Sequence, residues 1–119
     1  MIIHGKDRKF RLTVGAAIEI AALCPDKDIR NIGSILDDSA TLEDSTDLTT
    51  GIIVALNRGY EQAMSYEEPG YIADPITKDE ILTINTQELV KLRDEAFAAF
   101  AADTQVSIEA APTKKKGKI

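Results

Sequence analysis

Between Leu48 and Met64 the apolar residues form two adjacent helical stripes instead of one. Leu48, Ile52, Ala55, Leu56, Gly59 and Ala63 recur along one face, while Ile53, Tyr60 and Met64 fall on the face beside it. A helix with so wide an apolar surface must be covered on two sides, which predicts a central helix with other elements packed around it. A chain of 119 residues suits one such core. Asp44 or Ser45 is the expected cap of this helix, after a polar, acidic connector over 37–47.

The flanking segments supply the covering elements. Phe10, Leu12 and Val14 alternate with Lys9, Arg11 and Thr13, a period-2 pattern that predicts a strand over 8–14. Paired with Ile2-Ile3-His4 across Gly5-Lys6-Asp7, it predicts a hairpin that must lie on something else to be stable. Gly15 to Cys24 reads as a helix with Val14, Ile18, Ala21 and Ala22 on its packed face, ended by Pro25. Asp26 or Asp28 can cap a second helix carrying Ile29, Ile32 and Leu36.

Pro69-Gly70 and Asp74-Pro75 mark a turn-rich stretch over 65–76. Thr77-Lys78-Asp79-Glu80 then has the form of a capping box, with Ile76 and Ile81 at the staple positions of a short helix over 78–83. Thr86 can open a last helix, with Leu89, Leu92, Ala96, Ala99 and Phe100 on one face and Val90 and Phe97 on its flank. The expected fold is α+β, mostly α-helical: an N-terminal β-hairpin packed on a bundle of four or five helices. One domain is expected over 1–102, followed by a disordered basic tail over 103–119.

Charge and residue chemistry narrow the function. The net charge of -6 is segregated, with a -10 stretch over 26–88 between two ends of +2 each. An acidic middle repels phosphate backbones, so nucleic acid is not the expected partner, and Lys114, Lys115, Lys116 and Lys118 read as a solubilising tail or a weak non-specific anion patch. No apolar run approaches the ~20 residues of a bilayer span, so no membrane partner is expected. One Cys and one His exclude a disulfide framework, a cysteine-based zinc site and a two-histidine metal cluster. His4 reads as an edge histidine and Cys24 as a small core side chain. Asp37-Asp38, Glu43-Asp44 and Glu67-Glu68 lack a calcium-loop pattern and read as solvated surface. The expectation is no enzyme, no cofactor and no metal.

The run His4-Gly5-Lys6, then Lys9 through Ala16, Glu19-Ile20-Ala21 and Leu23-Cys24-Pro25, resembles the tail assembly chaperones of long-tailed bacteriophages and prophages. Asp28-Ile29-Arg30, an acidic linker, Asn57-Arg58-Gly59-Tyr60 and a Thr-capped helix before a basic tail continue the likeness more loosely. The resemblance implies a protein of the host cytoplasm, absent from the mature virion, that self-associates. It also implies binding of the tape measure protein, a long and largely helical chain, with the tail tube protein as a second partner. Ile53, Tyr60 and Met64 are the candidate partner-binding residues, although each also fits a second side of the core. In such genes a slippery site often appends a second domain by frameshifting, and the codons of Lys114 to Gly117 are where it would lie. A minor structural tail protein and a bacterial adaptor or regulatory domain unrelated to phage stand beside this reading.

Overall fold

The computed structural model describes residues 1–24, 27–28 and 42–104. Two short strands, β1 (Ile2–Ile3) and β2 (Lys6–Asp7), form an antiparallel hairpin with Ile2 opposite Asp7 and Ile3 opposite Lys6. Four helices follow among the described residues: α1 (Val14–Ala21), α2 (Leu42–Glu67), α3 (Lys78–Ile81) and α4 (Thr86–Thr104). The fold is therefore α+β and mostly helical, with the hairpin at its N-terminal edge. The second helix expected around Ile29, Ile32 and Leu36, and the tail over 105–119, lie outside the described residues.

The long helix α2 is the centre. It packs against α1, α3 and α4, and Ile52, Ile53, Ala55 and Leu56 are all buried, while Tyr60 and Met64 farther along the second stripe are half-buried. It begins at Leu42, earlier than expected, so residues 42–47 belong to the helix and not to a connector. Ile20 of α1, Ile81 of α3, and Leu92, Ala96, Phe97 and Phe100 of α4 complete the core with Ile3 and Ile76.

The hairpin closes earlier than the alternation suggested. His4 and Gly5 both have positive φ, 51° and 83°, the requirement for a two-residue type I′ turn, so Lys6 and Asp7 become strand instead of connector. Residues 8–13 are not a strand. They run across α2, where Lys9 O accepts from Asn57 Nδ2 at 2.9 Å and the Arg11 amide donates to Leu56 O at 3.1 Å. Backbone groups that would have joined a ladder find partners on a helix, and the period-2 pattern loses its meaning.

Helix α1 also turns a different face inward. Thr13 caps it, accepting from the Ala16 amide at 3.1 Å, and Ala16, Ile20 and Cys24 are buried. Val14 and Ile18, expected in the core, are 79% and 66% exposed. Ala16 lies against Gly59 of α2, where an added Cβ would stand 3.2 Å from its own Cβ, so this small residue sits on the inward face.

The two later helices have strong starts. Thr77 accepts from the Glu80 amide at 3.2 Å, and Ile76 and Ile81 are buried as the staple requires. The Glu80 carboxylate does not return to the cap; it faces the Arg8 guanidinium at 3.5 Å. The reciprocal box is instead at Asn85 and Glu88, where each side chain accepts from the other's amide, at 2.8 and 3.2 Å. Thr77→Ala should cost about 1 kcal/mol in a urea melt, the usual effect of losing a cap hydroxyl.

Candidate functional site

One stripe of α2 is only partly covered by the described residues, with Thr50 buried, Gly51, Val54 and Arg58 half-buried and Asp47 exposed. Asp47, Thr50, Gly51, Val54 and Arg58 recur at i, i+3, i+4, i+7 and i+11 and form the floor of an open trough of 660 Å³. Glu19 and Leu23 of α1 make one wall. Pro75, Ile76, Thr77 and Lys78 make the other. The middle is apolar, through Leu23, Val54 and Ile76, and the Leu23 side chain lies over Gly51, where an added Cβ would stand 3.0 Å from its Cδ1. Thr50 Oγ1 is buried in that floor without a hydrogen-bond partner.

Each end of the trough carries an ion pair. Arg58 Nη1 meets Glu19 Oε1 at 2.9 Å, and Lys78 Nζ meets Asp47 Oδ1 at 3.0 Å. All four side chains are between 39% and 55% exposed, so solvent screens them and they retain spare donors and acceptors.

The wall formed by 75–78 is held by a buried polar network. Asn57, fully buried, accepts from the Ile76 amide at 2.7 Å through the same amide group that donates to Lys9 O. Glu61, also fully buried, accepts at one oxygen from Lys6 Nζ at 3.1 Å, Tyr71 OH at 2.7 Å and the Asp74 amide at 3.0 Å. Arg8, 3% exposed, donates to Asp74 O. Burial alone would raise the Glu61 pKa, but the Asp74 amide, the Tyr71 hydroxyl and Lys6 outweigh it and hold the carboxyl below its ordinary value. The same contact pushes the Tyr71 phenol up to about 12.

The three residues nominated from sequence do not form one surface. Ile53 is 0% exposed and belongs to the core, whereas Tyr60 and Met64 are half-buried on α2. Other apolar side chains are exposed: Val14 and Ile18 on the face of α1 that also carries Ala17 and Ala21, Leu23 at the trough, and Ile2, Tyr66, Ile72, Leu82 and Val90 elsewhere. The trough stripe carries no apolar periodicity, because its two ends are charged and its centre is glycine.

Chemistry-bearing groups are dispersed. His4 Nε2 lies 2.9 Å from the Thr83 hydroxyl on the exposed hairpin turn. Cys24 is buried, its Sγ donates to Ile20 O at 3.4 Å, and burial together with the Asp28 charge pushes the thiol up. Among the described residues no three His, Cys, Asp or Glu side chains gather to hold a metal, and no helix is long and apolar enough to cross a membrane. No family model matches the chain, and no curated protein or solved structure is significantly similar to it.

Proposed function

We propose that the chain is a non-catalytic tail assembly chaperone of a long-tailed bacteriophage or prophage, which binds the tape measure protein and promotes tail tube assembly. The resemblance of its first 25 residues motivates this reading, and the open trough along α2 is the observation that carries it. A long helical client exposes apolar faces until the tube encloses it, and a helix-sized trough with an apolar middle is a surface suited to covering them. In this reading the protein self-associates, works in the host cytoplasm, contacts the tail tube protein and leaves before the virion is complete.

Purified protein mixed with tape measure fragments provides the test. Capture of the fragments and suppression of their aggregation, followed by light scattering, are the expected results. Absence of both sinks the reading. Recovery of the chain from purified virions would favour a structural tail component instead.

A further inference from the structure

We draw no further inference here: the strongest candidate, the apolar face of α1 that carries the exposed Val14 and Ile18 beside Ala17 and Ala21, is an unpartnered surface, and nothing among the described residues shows what covers it.

Discussion

Glu61→Leu should lower stability by about 3 kcal/mol or more, the cost of removing one partner from a buried charged network. Three donors would lose their acceptor together: Lys6 Nζ, Tyr71 OH and the Asp74 amide. They come from β2 and from residues 71–74, which lead into the wall of the trough, so hairpin and wall should loosen together. Glu61→Gln keeps an acceptor oxygen of similar shape while removing the charge that faces Lys6, and should cost about half as much.

The pH dependence of this site has a definite sign. The Glu61 carboxyl has a folded pKa below its unfolded one, so its contribution is complete above the ordinary carboxylate value and is lost as pH falls through the lowered value. Tyr71 behaves oppositely. Its phenol titrates at about 12 when folded, so its contribution is complete below pH 10 and is lost as pH rises toward 12. Urea melts across the pH range should show wild type losing more stability in acid than Glu61→Gln. Parallel acid profiles for the two proteins would show that the carboxylate charge is not what secures the wall.

The part of the fold legible in sequence is the part governed by local periodicity and local chemistry. The double stripe of α2 requires burial on two sides whatever the neighbours are, and Ile52, Ile53, Ala55 and Leu56 are buried accordingly. Thr77 with Ile76 and Ile81 is equally local, because a cap and its staple are decided within one turn of helix. Alternation in 8–14 failed because α2, distant in sequence, supplies the backbone partners of that segment. The α1 face failed for a related reason: apolar size favours Val14 and Ile18, but the closeness of two helices favours Ala16.

The same contrast separates the candidate residues from the trough. Ile53 was nominated as surplus apolar surface, and the packing of the core leaves it none. The trough exists because α1 and residues 75–78 stand on either side of one stripe of α2, a juxtaposition that no local pattern encodes. Within Asn57-Arg58-Gly59-Tyr60, however, three side-chain choices now have separate physical roles. Asn57 ties residues 8–13 and 75–78 to α2, Arg58 pairs with Glu19 across the trough, and Gly59 permits the close crossing. A motif read first as a resemblance is thus also a set of packing requirements.

Gly59 yields the second large effect, and Gly51 its control. Both glycines lie inside α2, where replacement by alanine gains roughly 1 kcal/mol of helix propensity. At Gly59 an added Cβ would lie 2.5 Å from the carbonyl oxygen of Arg11, 2.9 Å from Thr13 Oγ1 and 3.2 Å from the Ala16 Cβ. The nearest of these is backbone, held in place by the Arg11 amide bond to Leu56 O, and the next is the hydroxyl that caps α1. Relief therefore requires moving the segment 11–16 as a body, and overpacking of that kind outweighs the propensity gain. Gly59→Ala should be destabilised by about 2 kcal/mol net, a fall in Tm on the order of 10 °C for a domain of this size. Hydrogen exchange should show the Arg11 amide losing protection before the core of α4 does. Gly51→Ala meets only the mobile end of Leu23, so the propensity term should dominate and the variant should match or exceed wild type. A Gly59→Ala protein as stable as Gly51→Ala would mean that α1 does not cross α2 at this glycine, and the near wall of the trough would have to be placed elsewhere.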